Sequence, residues 1–180
     1  PSVVIFPNHH ALLIALEVTA PFGQGRTLYA WHSDDDGVTW GAPVALDQGS
    51  QVTNGHDTDG PWLARGANGS VIASWGSYDT QVDTTLLKTM VASISHDEGK
   101  TWTHPTLVGP SNSQVNDGQP ALLSNGRAIV AFNLEESSIL PQPLVADVWT
   151  SVSIDDGRSW TAHALANVTS SKWPRLASTN

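Results

Sequence analysis

The chain contains no cysteine, so neither a disulfide framework nor a cysteine-based metal site is available to it. Charge is scarce as well. Charged residues make up 14% of the 180 positions, and eight Lys and Arg stand against 17 Asp and Glu, a formal charge of −9. Nucleic acids and anionic membranes both need a basic face, and this composition argues against either as a partner. No apolar run approaches the roughly 20 residues of a membrane-spanning helix. The chain opens on Pro1-Ser2-Val3-Val4, without the basic segment and cleavage site of a secretory leader. Gly (15), Pro (11) and Trp (eight) are abundant, against three Phe and two Tyr. That is the composition of an all-β protein with many turns, in which each buried Trp removes roughly 150–250 Å² from water.

Internal repetition decides the fold class. Ser33-Asp34-Asp35-Asp36-Gly37-Val38-Thr39-Trp40, Ser95-His96-Asp97-Glu98-Gly99-Lys100-Thr101-Trp102 and Ser153-Ile154-Asp155-Asp156-Gly157-Arg158-Ser159-Trp160 align without a gap as S-x-D-x-G-x-T/S-W. The shared Asp recurs after 62 and then 58 residues. A Pro leading into an apolar run precedes each copy: Pro1, Pro61 and Pro120 lie 34, 36 and 35 residues before Asp35, Asp97 and Asp155. A fourth such opening, Trp173-Pro174-Arg175-Leu176, follows the third copy.

Between these markers the apolar runs are short and bounded by turn residues, which predicts strands rather than helices. The second repeat predicts strands over 62–65, 71–75, 88–95 and 106–108, and the second strands of the other repeats fall over 11–17 and 127–133. Four strands per repeat is the content of one β-propeller blade. The expected division is 1–58, 59–116 and 117–171 for three blades, with 172–180 as the first strand of a fourth. Three blades form an arc whose end faces are uncovered, near Val3, Ile14, Val148 and Trp173, so self-association through those faces is expected.

Each shared position of the repeat has a folding role. The Asp side chain accepts backbone N–H bonds in a tight reversal between third and fourth strands. Gly37, Gly99 and Gly157 supply a positive φ. The Ser33, Ser95 and Ser153 hydroxyls, with Thr39, Thr101 and Ser159, tie the two arms together. Trp40, Trp102 and Trp160 are expected to start the fourth strand and pack under the turn.

With this pattern at blade spacing, the chain resembles the Asp-box, or bacterial neuraminidase (BNR), repeat of the sialidase superfamily. The resemblance implies a six-bladed propeller when complete. It further implies a carbohydrate-active, exo-α-sialidase-type glycosidase, secreted or extracytoplasmic, with a glycan or glycoconjugate as partner and no cofactor. The alternative within the same family is a non-catalytic propeller that serves as a glycan-binding or interaction scaffold. Sialidases of this family hold the substrate carboxylate with three arginines and use a Glu-activated Tyr as nucleophile and an Asp as acid/base. The run ending at Glu17 is similar to the strand that follows the first of those arginines, which would precede Pro1. Residues 18–31 contain no carboxylate, so the acid/base has no counterpart there, and this chain alone is expected to be inactive.

The candidate catalytic residues are Glu17, Asp57, Asp59, Tyr78, Glu135 and Arg175. Arg175, and next to it Arg65, is expected on an innermost strand facing a central channel. An acidic rim opposite the box turns is expected to carry Glu17, Asp57, Asp59, Asp117, Glu135 and Asp147, a solvated surface first and a ligand ring second. The histidines, among them His9, His10, His96, His104 and His163, show no metal-ligand spacing on one element and read as scattered surface residues, so no metal site is expected.

Overall fold

The computed structural model describes residues 1–18, 26–46, 60–78, 88–109, 114–135 and 146–166. Among them, twelve strands form three four-stranded antiparallel sheets. The first comprises β1 (Ser2–Ile5), β2 (Ala11–Val18), β3 (Arg26–Ser33) and β4 (Val44–Ala45). The second comprises β5 (Trp62–Arg65), β6 (Val71–Tyr78), β7 (Lys88–Ser95) and β8 (Thr106–Leu107). The third comprises β9 (Gln114–Leu122), β10 (Ala128–Glu135), β11 (Ala146–Ser153) and β12 (Thr161–Ala166). Every sheet keeps its strands in chain order. This meander, repeated three times, is the all-β propeller-blade architecture that the repeat implies.

The sheets stack face to face, and the core lies between them in two clusters. Phe6, Leu12, Ile14, Leu28, Ala30 and Leu46 of the first sheet meet Val71, Ala73, Trp75 and Val91 of the second. Ile72, Met90, Ala92, Ile94 and Val108 of the second sheet meet Val115, Leu122, Ala128, Val130 and Phe132 of the third. Alternation along β6 explains the split. Val71, Ala73 and Trp75 point to one neighbour and Ile72 to the other, so a strand buried on both faces reads as a nearly continuous apolar run. Its one hydroxyl in that run is satisfied across the junction, where Ser74 Oγ donates to Gly118 O at 2.9 Å.

On the far side of the first sheet Val3 and Ile5 are 53% and 56% exposed, which fits the uncovered face expected there. Ile14, expected near that face, is instead fully buried against the second sheet. Val148 is half-buried, and Trp173 lies outside the described residues.

Three details of the sequence reading change. The opening prolines are not all equivalent. Ser2, after Pro1, pairs with Ile14, and Trp62, after Pro61, pairs with Ser74; both partners are the fourth residue of their strands. The fourth residue of β10 is Ala131, which pairs with Gln119, so the counterpart of Pro1 and Pro61 is Gly118, not Pro120. Gly60 and Asp117, immediately before that position, share a positive φ of 94° and 53°. A Cβ on Gly118 would run into the Met90 side chain, which lies against this glycine and would have to shift.

Secondly, Arg127 does not start a strand. It sits in the turn before β10, its amide donating to Asn125 Oδ1 at 3.1 Å. Thirdly, Trp40, Trp102 and Trp160 precede the fourth strands, which begin at Val44, Thr106 and Thr161. They do pack on the turn glycines: Trp102 Nε1 donates to Gly99 O at 2.9 Å, and a Cβ on Gly37 would touch the Trp40 ring at 3.3 Å. The expected boundary between residues 116 and 117 falls inside β9.

Candidate functional site

The three repeat turns are built alike, atom for atom. Ser33 Oγ donates to Asp35 Oδ1 at 2.7 Å and accepts from Gly37 N at 2.8 Å. Asp35 then accepts from Thr39 N at 2.8 Å and from Thr39 Oγ1 at 2.6 Å. The same bonds join Ser95, Asp97, Gly99 and Thr101, and again Ser153, Asp155, Gly157 and Ser159. Gly37, Gly99 and Gly157 have φ of 88°, 85° and 76°, a region closed to most side chains.

These carboxylates are committed to the turn. The Thr39 hydroxyl and amide, with Ser33 Oγ, hold Asp35 down at about 2, and the Ser159 hydroxyl and amide, with Ser153 Oγ, do the same for Asp155. At Asp97, burial pushes upward, yet the Thr101 amide and hydroxyl and the Ser95 hydroxyl outweigh it and the group stays below the ordinary carboxylate range. An acid that strong, with its lone pairs already engaged, is unsuited to proton transfer near neutral pH.

The candidate catalytic residues fall at the other end of the sheets. Tyr78 and Glu135 end β6 and β10, and Glu17 stands one place before the end of β2. Asp57, Asp59 and Arg175 lie outside the described residues. Arg65 belongs to neither set. It pairs with Val71 at the turn end of the second sheet, seven strand positions or about 23 Å from Tyr78. There its Nη1 donates to Ile5 O of the first sheet at 2.9 Å. It lines a cavity of about 430 Å³ with Phe6, Pro7, Asn68, Glu98 and Ser124.

The turn end also gathers histidines that do not read as scattered. His10 is buried, stacked between Phe6 and His32 at ring distances of 5.2 Å. Its Nε2 lies 3.0 Å from His32 Nδ1. Its Nδ1 lies 2.9 Å from Glu98 Oε2, close enough for an ion pair though out of line for a hydrogen bond. Burial, then the neighbouring His10, lowers the His32 pKa. Asn8 Nδ2 donates to both Glu98 oxygens at 3.1 and 3.2 Å.

At the next junction the arrangement differs. His96 Nε2 lies 2.8 and 2.9 Å from the two Asp156 oxygens, and its Nδ1 lies 3.2 Å from Ser70 Oγ. Glu98 and Asp156 occupy the same repeat position, each with positive φ, and each reaches back to a histidine of the preceding sheet. His9 meets Asp36, the third such acid, within its own sheet at 2.8 Å. His104 is exposed beside Pro105 O, and His163 is exposed on β12. Among the described residues no three His, Asp or Glu are placed to hold a metal ion.

The hairpin register carried a signal for one of the histidines. Val71 pairs with Ser95, so Ser70 falls opposite His96, whereas in the first sheet His32 pairs with Leu12 and the register gives no sign of its contact with His10. The Glu98 and Asp156 partners come from the adjacent sheet, and no local pattern indicates them.

No family model matches the chain, and no curated protein matches it. Solved structures do. The α-L-arabinanase of Penicillium chrysogenum, complexed with arabinobiose, superposes with a TM-score of 0.67 at 14% identity, over 96% of this chain and 52% of its own. The Hadza microbial sialidase Hz136 gives 0.61 at 14%, over 91% and 36%. A polysaccharide lyase of family PL25, an ulvan lyase, gives 0.65 at 12%, over 89% and 42%. The likeness is one of fold. This chain spans about half or less of each of these propellers. Among the described residues no helix is long and apolar enough to cross a membrane.

Proposed function

We propose that the chain is a three-blade portion of a carbohydrate-active propeller, with its third blade opening at β9 rather than at 117 and with 172–180 opening a fourth blade. We assign its turn repeat to the Asp-box class of the sialidase superfamily. The observation that carries this reading is the threefold recurrence of one hydrogen-bonded turn on successive four-stranded sheets. Propellers of similar fold include an arabinanase, a sialidase and an ulvan lyase, so glycans are the substrate class that the neighbours favour, while the bond cleaved differs among them.

In this reading the hydrogen-bonded Ser, Asp and Thr or Ser of the repeat turns are scaffold, and Glu17, Asp57, Asp59, Tyr78, Glu135 and Arg175 belong to the glycan-facing rim. The missing carboxylate over 18–31 leaves that rim without an acid/base, so the 180-residue chain is expected to turn over no sialoside. A fluorogenic sialoside and a fluorogenic arabinofuranoside, offered to this chain, provide the test. Turnover lost in both Arg175→Ala and Asp57→Ala would show that the active site is already complete. The scaffold alternative draws on the same gap. It expects glycan-array binding by this chain that is weakened by changes at Tyr78 or Glu135 and unaffected by changes at Asp97.

A further inference from the structure

We propose that Ser70, His96 and Asp156 form a nucleophile, base and orienting acid that cleave small acyl esters on the turn end of the molecule, separate from any glycan site at the opposite rim. Asp156 engages His96 Nε2 through both oxygens, at 2.8 and 2.9 Å, which places the imidazole proton on that nitrogen. Nδ1 is then the acceptor, and Ser70 Oγ lies 3.2 Å from it. These are the contacts a hydroxyl needs to become a nucleophile, and geometry and role rather than chain order define such a set.

The serine is held firmly. Ser70 N donates to Ala67 O at 3.0 Å and Ser70 O accepts from Gly66 N at 2.8 Å, closing the turn between β5 and β6. A cavity of about 190 Å³ opens beside it, lined by Ser70, His96 and Asp156 with Asn68, Leu122 and Leu123. Leu122 and Leu123 give an apolar wall for a short acyl chain. Asn68 lines the same cavity, and its side-chain amide is the group on hand there to donate to the developing oxyanion. Asn68 also borders the larger cavity that holds Arg65, which leaves room for the alcohol portion of the ester.

The steps balance without a co-reactant other than water. Ser70 Oγ bonds to the carbonyl carbon as its proton passes to His96 Nδ1. The ester C–O bond then breaks and the alcohol departs with that proton. Water repeats the sequence on the acyl-serine and releases the carboxylic acid. His96 is 57% exposed, so water reaches it directly. The other junction shows that a clasp between sheets has no need of a serine, since Glu98 grips Asn8 and His10 with none present.

The intact chain is to be treated with a fluorophosphonate probe and, separately, with p-nitrophenyl acetate, with adducts mapped by mass spectrometry. The expected result is a single adduct at Ser70, and ester hydrolysis that falls about 100-fold in Ser70→Ala. Asp156→Asn should slow both labelling and hydrolysis at least about tenfold with the serine still present. Circular dichroism melts of each variant separate lost chemistry from lost fold, and His96→Gln replaces Asp156→Asn if the latter unfolds. Absence of an adduct at Ser70, or labelling equal to that of the exposed Ser124 and indifferent to Asp156→Asn, would overturn the proposal and leave the three residues as a tie between sheets.

Discussion

The two junctions between sheets use the same repeat position in opposite ways. At the first, Glu98 reaches back to a histidine whose side chain is 4% exposed, stacked between Phe6 and His32 above a core that contains Trp75. At the second, Asp156 reaches back to a histidine that is 57% exposed, beside an open cavity. A buried contact of this kind is costly to break because a desolvated group loses its partner, whereas an exposed one contributes little and leaves its imidazole accessible. One position in the repeat thus yields a structural clasp in one place and a chemically available side chain in the other. The two clasps differ in burial, in the acid used and in where the histidine stands in its repeat.

Core substitutions should sharpen that contrast most. Trp75→Ala removes the largest fully buried side chain among the described residues, at the first junction, and should cost about 3–5 kcal/mol in a denaturant titration. A loss under about 1 kcal/mol would mean that the first two sheets do not rest on this ring.

The turn glycines come next. A Cβ on Gly99 would lie 2.6 Å from Leu12 Cδ2 across the first junction, while on Gly157 it would lie 3.0 Å from Ile94 Cδ1 across the second. Both positions have positive φ, so both alanine variants are strained. Gly99→Ala should lose about 1–3 kcal/mol and more than Gly157→Ala, as read from their melting curves. The reverse order would place the tighter packing at the second junction.

Acid should act on the turns of both junctions together. Asp35 and Asp155 hold folded pKa values of about 2 against 3.8 for the free side chain. A depressed carboxylate contributes stability that is fully present above its unfolded pKa and is lost as pH falls toward its folded one. Stability should therefore decline between about pH 4 and pH 2, by a smaller amount when Asp35 is already Asn. A variant whose acid profile matches the parent would remove Asp35 from the explanation.

The clasps themselves should differ, and the exposed one gives the smallest effect. Glu98→Gln, which leaves buried His10 without its carboxylate, should cost about 1–3 kcal/mol. Asp156→Asn, at an exposed pair, should cost less than about 1 kcal/mol. Equal losses in chemical denaturation would erase the distinction between the two junctions.

Most of the fold was legible because the repeat fixes turns, and turns fix strands. The strands Trp62–Arg65 and Lys88–Ser95 lie where turn residues and alternation put them. Phase was harder. Pro120 matched the other openings in spacing, but register depends on a bulge near Asp117 that no spacing reveals. Burial was harder still. Ile14 faces a neighbouring sheet, and His10 is covered by a glutamate 88 positions along the chain, so both depend on how sheets stack rather than on local pattern. Glu17 lies on the strand predicted over 11–17, whereas Tyr78 and Glu135, expected in loops beyond 71–75 and 127–133, end β6 and β10 because both strands run on for two or three more residues.

Amide hydrogen exchange on the intact chain tests the central claim, that one side-chain-capped turn recurs three times as scaffold. The amides of Gly37, Gly99 and Gly157 donate to a serine hydroxyl, and those of Thr39, Thr101 and Ser159 donate to the repeat aspartate. All six should exchange slowly, and protection at Thr101 should vanish in Asp97→Ala while that at Thr39 and Ser159 persists. Exchange at these six positions as fast as in the unfolded chain would contradict the account.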